Sequence, residues 1–199
     1  MTLIIFKGYI EKWRELEEQG LLIDPKSIFV PTGSGGTAAG ILIGNYLTGN
    51  RHRIFLLQVA DTILDLRRDI YEILKDFELD PVAVFKNSEF IEAVGEGNGQ
   101  KVFSPTLSLT STAQALTNKL GYAQSTTDEL RFCKKIALET GIFLDRVYSG
   151  KALKATIAFL QMKMENGWKI LDPIFIHTGG IHSIGDSTFS NFIDSSFMS

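Results

Sequence analysis

Runs of apolar residues alternate with helical patterns along the chain. Unbroken apolar runs predict strands at 28–30 and 53–59, and such runs are typical of a sheet that is covered on both faces. Asp61 or Thr62 then caps a helix whose apolar residues follow the helical repeat, namely Ile63, Leu66, Ile70, Ile73, Leu74 and Phe77. Because strands and helices alternate, we predict an α/β fold with an open, mostly parallel sheet and flanking helices.

Weaker patterns predict the remaining elements. The apolar segment 3–6 is predicted as a strand, and a short amphipathic helix is predicted over 9–20. Residues 125–129 offer overlapping capping boxes for a helix that Gly141 ends. Further predictions are a strand at 81–85, a flexible connection at 95–99, helices at 112–120 and 151–166, and a strand at 173–177. We expect a single domain spanning 1–199.

A glycine-rich loop separates the first strand from the next helix, which is predicted to extend to about residue 47. In its sequence, Pro31-Thr-Gly-Ser-Gly-Gly-Thr-Ala-Ala-Gly40, successive backbone N–H groups and the helix N-terminus can face an anion. The hydroxyl groups of Ser34 and Thr37 would add donors. The loop lacks the dinucleotide fingerprint and the Gly-Lys of a P-loop, which favours a mononucleotide-like phosphate over ATP or NAD. An ordinary tight turn between strand and helix is the alternative.

Composition and charge narrow the classes of function. With 44% hydrophobic and 22% charged residues, the chain is able to bury a core of ordinary size. The formal net charge of −3 gives no attraction to nucleic acid or to an anionic membrane, so neither is an expected partner. Cys133 is the single cysteine, which excludes an internal disulfide and is compatible with the cytoplasm, the expected location. Its thiol is expected to be buried and inert.

Two further segments carry candidate functional residues at the ends of predicted elements. His177-Thr-Gly-Gly180 follows the last strand, at the sheet edge that also carries the glycine-rich loop and where open α/β sheets bind ligands. Asp145-Arg-Val-Tyr-Ser-Gly-Lys-Ala152 places Tyr148 and Ser149 in a turn before a helix. Purely structural interpretations remain open: Ser149 as a helix cap, Tyr148 and Tyr122 as packed tyrosines, His177 as a hydrogen-bonded residue, and the glycines as turns.

Six short motifs occur in the order found in one family. They are Gly8-Tyr-Ile10, Thr32-Gly-Ser-Gly-Gly-Thr-Ala-Ala-Gly40, Gly121-Tyr-Ala123, Gly141-Ile-Phe-Leu-Asp145, Val147-Tyr-Ser-Gly-Lys-Ala152 and Ile176-His-Thr-Gly-Gly180. Together they resemble the family of D-cysteine desulfhydrase and aminocyclopropane-carboxylate deaminase, which are pyridoxal-phosphate enzymes with the tryptophan-synthase-β type of fold. The resemblance spans residues 8 to about 181 and corresponds to the C-terminal portion, the larger domain of a fold-type-II enzyme.

The resemblance implies roles for individual residues. The phosphate of the cofactor, pyridoxal phosphate, would be held by Gly33, Ser34, Gly35, Gly36 and Thr37. Ser149 would lie against the pyridine nitrogen, with Thr178 and Gly179 nearby. Tyr122 and Tyr148 would face a small amino-acid substrate and would position or protonate the leaving group.

The residue at position 149 bears on which activity the resemblance implies. Deaminases of this family have Tyr-Glu-Gly-Lys where this chain has Tyr148-Ser-Gly-Lys151, whereas desulfhydrases carry a hydroxyl residue there. A carboxylate would keep the pyridine nitrogen protonated, while a neutral hydroxyl leaves it largely unprotonated and suits loss of a good leaving group such as thiolate. The resemblance therefore implies a lyase that converts D-cysteine to pyruvate, ammonia and sulfide. The alternatives are aminocyclopropane-carboxylate deaminase and a non-catalytic chain that binds pyridoxal phosphate.

The lysine that forms the Schiff base in this family belongs to a segment upstream of the Gly-Tyr-Ile motif. Gly8 follows Met1 by only seven residues, so we expect this segment and most of the smaller domain to be absent and the chain to be truncated and possibly inactive. Lys7, Lys26 and Lys151 match none of the family's lysine contexts. Loss of the upstream strands would expose a sheet edge or an apolar face, so a homodimer is expected.

Overall fold

The computed structural model describes residues 2–60, 62–93 and 125–179, with side chains from residue 8 onward. The described elements are α1 (Thr2–Glu18), β1 (Ser27–Thr32), α2 (Gly36–Leu47), β2 (Arg53–Gln58), α3 (Ile63–Asp76), α4 (Pro81–Val84), β3 (Ser88–Glu92), α5 (Thr127–Thr140), α6 (Ser149–Glu165) and β4 (Pro173–Phe175). The strands form a four-stranded sheet in the order β3-β2-β1-β4, and each neighbouring pair is parallel. The predicted α/β fold with a parallel sheet is confirmed.

Apolar cores cover both faces of this sheet. On one face, residues of β1 and β2 such as Ile28 and Leu56 pack against α1, α2 and α3. On the other face, the rings of Phe29 and Phe55 stack with their centroids 4.7 Å apart, and Phe159 of α6 packs against both. All six residues of β1 are buried, which explains why the central strands appear in the sequence as continuous apolar runs.

Residues 81–84 form the short helix α4, so the strand predicted at 81–85 is wrong. Asp80 caps this helix by accepting a hydrogen bond from the Val82 N–H, and Pro81 occupies the first turn, where its missing N–H costs nothing. The Val82 side chain is 78% exposed, so this apolar run is not a buried strand of the sheet. The strand β3 follows instead, and only its alternate residues Glu89 and Ile91 are buried.

The ends of other elements also differ from the sequence-based prediction. Residues 3–6 belong to α1, not to a strand, because a four-residue apolar run fits a helical turn as well as it fits a strand. Helix α6 begins at Ser149 instead of 151, and β4 ends at Phe175, before His177. The connection predicted at 95–99 and the helix predicted at 112–120 lie outside the described residues.

The predicted helix caps of α3 and α5 are confirmed. Thr126 and Glu129 form a reciprocal capping box: the Glu129 N–H donates to Thr126 Oγ1 at 3.1 Å, and the Thr126 N–H donates to Glu129 Oε2 at 2.8 Å. Gly141 ends α5 with a φ of 72°, in the left-handed region. Thr62 caps α3 by accepting a hydrogen bond from the Asp65 N–H at 3.1 Å. These local signals act within a few residues, which is why the sequence reveals them.

A buried histidine makes the stability of the fold depend on pH. His52 is 1% exposed, its Nδ1 accepts a hydrogen bond from the Lys26 N–H at 3.1 Å, and its ring lies edge-on to Trp13. Burial lowers the pKa of His52, and the positive charges of Arg51 and Lys26 lower this pKa further. Below about pH 6.5 the unfolded chain therefore binds a proton at this residue that the folded chain does not bind.

We expect the free energy of unfolding to decrease as the pH falls below about 6.5, by up to about 1.4 kcal/mol per pH unit from His52. Urea denaturation across this pH range measures the slope. The matched variant is His52→Asn, whose side-chain oxygen can still accept from the Lys26 N–H but does not titrate. If the slope is equal in both proteins, the assignment to His52 is wrong.

Candidate ligand-binding site

A cavity opens at the carboxyl edge of the sheet, between the loop after β1, the start of α6 and the segment after β4. Its volume is about 240 Å³, slightly below the roughly 300–1,000 Å³ of typical small-molecule sites. Its described lining consists of Tyr9, Pro31, Thr32, Gly33, Ser34, Gly35, Gly36, Thr37, Ala38, Tyr148, Thr178 and Gly179. The structure thus brings the predicted loop residues together with Tyr148, Thr178 and Gly179, which are more than 100 positions away in the chain.

The glycine-rich loop owes its path to two glycines that leave no room for a side chain. Gly35 has a φ of +84°, which favours glycine, and a Cβ there would lie 2.9 Å from Cγ1 of Ile70 on α3. At Gly33, a Cβ would lie 2.7 Å from Cε1 of Tyr148. The loop therefore passes closely between α3 and the Tyr148 ring, and its backbone lines the cavity.

The N-terminus of α2 supplies hydrogen-bond donors to the cavity. The Ala39 N–H donates to the Gly35 carbonyl at 2.8 Å, which is the first hydrogen bond of the helical ladder. The helix itself therefore leaves the N–H groups of Gly36, Thr37 and Ala38 without acceptors, and Gly35, at the cap position, has no side chain to bind them. The first turn also lacks acidic residues. These amides and the helix dipole suit a phosphate group.

Asp145 holds the turn that carries Tyr148 and Ser149. Its Oδ1 accepts hydrogen bonds from the N–H groups of Val147 at 2.9 Å and Tyr148 at 2.6 Å. Its Oδ2 accepts from the Ser149 N–H at 2.8 Å and from the Ser149 hydroxyl at 2.5 Å. The Asp145 carboxylate caps α6, so the alternative interpretation of Ser149 as the helix cap is wrong. The short spacing from Asp145 to Ser149, directly before a helix, was the sequence signal for this cap.

Ser149 is fully buried, with 0% of its surface exposed, and is not among the described residues that line the cavity. Its Oγ donates to the Asp145 carboxylate and accepts a hydrogen bond from the Asp145 N–H at 2.8 Å. Ser149 follows the lining residue Tyr148 directly in the chain. Its implied position beside a pyridine nitrogen stays a prediction.

His177 holds the segment that follows β4. The Gly179 N–H donates to His177 Nδ1 at 3.2 Å, and His177 Nε2 lies 2.9 Å from the Phe143 carbonyl oxygen. Because Nδ1 accepts, this network assigns the proton to Nε2, which donates to Phe143. Gly179 has a φ of +99°, which favours glycine. His177 therefore has the structural role that was left open, and it places Thr178 and Gly179 at the cavity.

Tyr9 lines the cavity, although its position in the sequence indicated only the apolar face of α1. Helices α1 and α2 pack so closely that a Cβ at Gly40 would overlap Cβ of Tyr9, and a Cβ at Gly44 would overlap the Trp13 side chain. The two glycines on one face of α2 thus allow the approach that brings Tyr9 to the site. In the sequence, the spacing of four residues between Gly40 and Gly44, together with the Gly-Tyr-Ile motif, was the signal that could have indicated this close packing.

The described lining of the cavity contains no lysine. Lys151 is 8% exposed within α6, and Lys26 forms an ion pair with Asp172 at 2.5 Å. Within residues 2–60, 62–93 and 125–179, no group of His, Cys, Asp and Glu side chains could hold a metal ion. Tyr122, the other predicted substrate-facing tyrosine, lies outside the described residues.

Cys133 is buried behind the turn that Asp145 holds, and only 1% of its surface is exposed. Burial, followed by the negative charges of Asp145 and Glu129, raises the pKa of the Cys133 thiol to about 12. At neutral pH this thiol is therefore protonated and a poor nucleophile. The prediction of a buried cysteine is confirmed, and the raised pKa agrees with the expectation that its thiol is inert.

Sequence comparison relates this chain to known enzymes along most of its length. Over 185 residues, 90% of this chain, it is 35% identical to the bifunctional D-cysteine desulfhydrase/1-aminocyclopropane-1-carboxylate deaminase, mitochondrial, of Arabidopsis thaliana. Over 87% of its length it is 30% identical to a Pyrococcus furiosus protein that is provisionally named 1-aminocyclopropane-1-carboxylate deaminase. This chain belongs to the D-cysteine desulfhydrase/1-aminocyclopropane-1-carboxylate deaminase family. The resemblance that the six motifs carry is thereby confirmed.

The fold of this chain agrees with the fold of a solved structure. A structure described as that of an ACC deaminase homologue matches 95% of this chain with a TM-score of 0.65 and 22% sequence identity. The chain spans 39% of the Arabidopsis relative, 46% of the Pyrococcus relative and 49% of the solved chain. No protein-family model matches it. In the described ranges, no helix is long and apolar enough to cross a membrane.

Proposed function

We propose that this chain is the cofactor-binding part of a pyridoxal-phosphate lyase of the D-cysteine desulfhydrase type. One observation carries the proposal: the amides of α2, the Tyr148 ring and the Thr178–Gly179 segment meet in a single cavity. Family membership supports the reaction class, because the Arabidopsis relative is named for D-cysteine desulfhydrase as well as for the deaminase.

The residues of the cavity fit the two ends of pyridoxal phosphate. The N–H groups at the start of α2 and the hydroxyls of Ser34 and Thr37 are donors for the phosphate. Tyr148 offers an aromatic surface for the ring, and Gly33 allows that tyrosine to approach the loop closely. When bound, pyridoxal phosphate supplies an electron sink for bond cleavage at the substrate.

Further roles are proposed for the same residues. The amides of α2 would fix the cofactor by its phosphate, and the Tyr148 ring would exclude water from the cavity. Tyr148 or Tyr122 would position or protonate the departing sulfur. In the overall reaction, D-cysteine and water give pyruvate, ammonium and hydrogen sulfide. Removal of the proton at the α-carbon needs a base, which the family supplies as a lysine, and the described lining contains no lysine.

Deamination of 1-aminocyclopropane-1-carboxylate is the second candidate function. The observation that favours it is the Pyrococcus furiosus relative, which carries only that name. Ser149 favours the desulfhydrase, because the resemblance implies glutamate at this position in the deaminases. A third candidate is a chain that binds pyridoxal phosphate without catalysis. The cytoplasmic location and the homodimer also remain proposals, and the Arabidopsis relative is named as mitochondrial.

Replacing Ser149 with glutamate tests the assignment to the desulfhydrase type. The new carboxylate would lie in a buried site beside the Asp145 carboxylate, so we expect sulfide release from D-cysteine to fall by at least about tenfold. The assay uses this chain and, in parallel, the chain preceded by the lysine-bearing segment that the family implies. Ser149→Thr keeps the hydroxyl and is expected to stay within about twofold of the original rate. An unchanged rate in Ser149→Glu would contradict the proposal that Ser149 belongs to the site.

Cofactor binding is tested by equilibrium dialysis of the 199-residue chain with pyridoxal phosphate, followed by borohydride reduction and peptide mapping. Saturable binding without a reduced adduct supports the proposed cofactor-binding part. A single modified lysine also supports it and identifies a lysine of this chain as the covalent partner. The absence of saturable binding contradicts the proposal. If the extended chain binds the cofactor but eliminates nothing from D-cysteine, the non-catalytic alternative is favoured.

A further inference from the structure

Helices α1 and α2 run parallel where they meet beside the cavity. Tyr9 contacts α2 at Gly40, and Trp13, four residues later in α1, contacts α2 at Gly44, four residues later in α2. Both contacts advance by about one turn in the same chain direction, so the two helices share a direction here. Because four residues of helix rise about 6 Å, Tyr9 lies about one turn from Gly36, the first residue of α2.

The Tyr9 side chain is directed toward the first turn of α2. Tyr9 lines the cavity together with residues 36–38, whose N–H groups the helix leaves without acceptors. Trp13 is directed toward the other end of α2, where its Nε1–H donates to Thr48 Oγ1 at 3.2 Å. A tyrosine side chain is long enough to span one helical turn, so the phenol ring of Tyr9 extends beside the amides of α2.

The hydroxyl of Tyr9 has no hydrogen-bond partner in the part of the chain that the structure describes. Tyr9 is half-buried, and every fully buried side-chain nitrogen or oxygen in the described ranges has a partner, so this hydroxyl is open to solvent. A phenol has one proton to donate, and packing of the ring usually goes with a partner for that proton. A ligand in the cavity that Tyr9 lines can supply this partner.

The cavity offers neutral donors to an anion. Its described lining contains no lysine, arginine or histidine side chain, and also no aspartate or glutamate. Amide and hydroxyl groups therefore have to balance the charge of a bound phosphate. A hydrogen bond to a charged group is roughly twice as strong as one between neutral groups. Each hydroxyl that reaches the phosphate consequently makes a large contribution to its affinity.

We propose that the Tyr9 hydroxyl donates a hydrogen bond to the phosphate of the bound ligand. The inference rests on the proposed function, in which the amides at the start of α2 hold this phosphate. It adds a phosphate-binding residue from α1, to which the resemblance of the motifs assigns no role. The phosphate is then held from two parallel helices, by backbone donors of α2 and by a side-chain donor of α1.

The test compares the original chain with Tyr9→Phe, which keeps the ring beside Gly40 but lacks the hydroxyl. The probes are pyridoxine 5′-phosphate, whose alcohol cannot form an imine with lysine, and inorganic phosphate. Dissociation constants are measured from ¹H–¹⁵N spectra of the 199-residue chain, followed at the amides of residues 36–38. We expect Tyr9→Phe to raise both constants by about tenfold, because both probes carry the phosphate that Tyr9 binds.

A matched control removes a tyrosine hydroxyl elsewhere in the chain. Tyr71 lies on α3, is 38% exposed and is not among the described residues that line the cavity. The Lys75 Nζ lies 4.9 Å from the centroid of its ring, a contact that phenylalanine retains. Tyr71→Phe is therefore expected to leave both dissociation constants within about twofold of the original values. The amide spectra of the ligand-free variants show whether each one is folded.

The outcomes separate this inference from the proposed function. When both probes bind, an unchanged constant for either of them in Tyr9→Phe overturns the inference, because a donor to the phosphate must affect both. If inorganic phosphate binds in a manner that depends on Tyr9 but pyridoxine 5′-phosphate does not bind, the proposed function fails and the hydrogen bond from Tyr9 stands. If neither probe shifts the amides of residues 36–38, both fail.

Discussion

Replacing Gly33 with alanine is expected to weaken the binding of pyridoxal phosphate by at least about tenfold, or 1.4 kcal/mol. The added Cβ would lie 2.7 Å from Cε1 of Tyr148, well inside van der Waals contact. The backbone of Tyr148 is held by Asp145, so its ring, which lines the cavity, has to move to make room for the added methyl group. Equilibrium dialysis with the cofactor measures the change in dissociation constant.

A matched control lies elsewhere in the same chain. Gly8→Ala places a methyl group on the exposed face of helix α1, where the added Cβ meets no atom within 4 Å, and it is expected to leave cofactor binding unchanged. The double variant Gly33→Ala with Tyr148→Ala removes the collision and is expected to bind more tightly than Gly33→Ala alone. Unaltered affinity in the single variant would show that the loop and Tyr148 do not constrain the ligand.

Replacing Asp145 with alanine is expected to lower the free energy of unfolding by about 3 kcal/mol or more. The variant leaves three backbone N–H groups and the Ser149 hydroxyl without their acceptor, and Asp145 is 1% exposed. Each buried donor that loses its partner costs roughly 1–3 kcal/mol, although water entering the space recovers part of this cost. Urea denaturation of the cofactor-free chain measures the effect.

The control for this prediction is an aspartate on the surface, whose partner is also exposed. Asp69 pairs with Arg68 on the solvent-facing side of helix α3, where the two side chains are 44% and 65% exposed. Asp69→Ala is expected to change the free energy of unfolding by no more than about 0.5 kcal/mol. A similarly small effect in Asp145→Ala would mean that water replaces the carboxylate without cost, and the turn would not depend on Asp145.

These two predictions concern one chain of contacts from the end of α5 to the cavity. Asp145 holds the N–H of Tyr148, the Tyr148 ring packs on Gly33, and Gly33 belongs to the loop that leads into α2. A change at either end therefore reaches the amides that are proposed to bind phosphate. This arrangement explains why the glycine-rich loop and the Tyr-Ser-Gly-Lys motif, which are far apart in the chain, form one site.

Local signals in the sequence were sufficient to predict most of the helices, strands and loops near the site. The glycine-rich loop, the Thr126–Glu129 capping box and the helical repeat of α3 act over a few residues, so their predictions are confirmed. Residues 81–85 show where such signals fail. Their apolar run resembles a strand, but Asp80 and Pro81 begin a helix there, and no sheet covers Val82.

The sequence by itself determined the family, the parallel sheet and the glycine-rich loop before α2, because motifs and apolar periodicity are properties of adjacent residues. Only the tertiary structure showed that Tyr9 reaches the cavity, because the close packing of α1 on Gly40 and Gly44 places it there. The direction of the Ser149 hydroxyl was likewise decided by folding. A serine hydroxyl can point its proton in several directions, and only the fold shows that Ser149 donates to the Asp145 carboxylate and accepts from the Asp145 N–H.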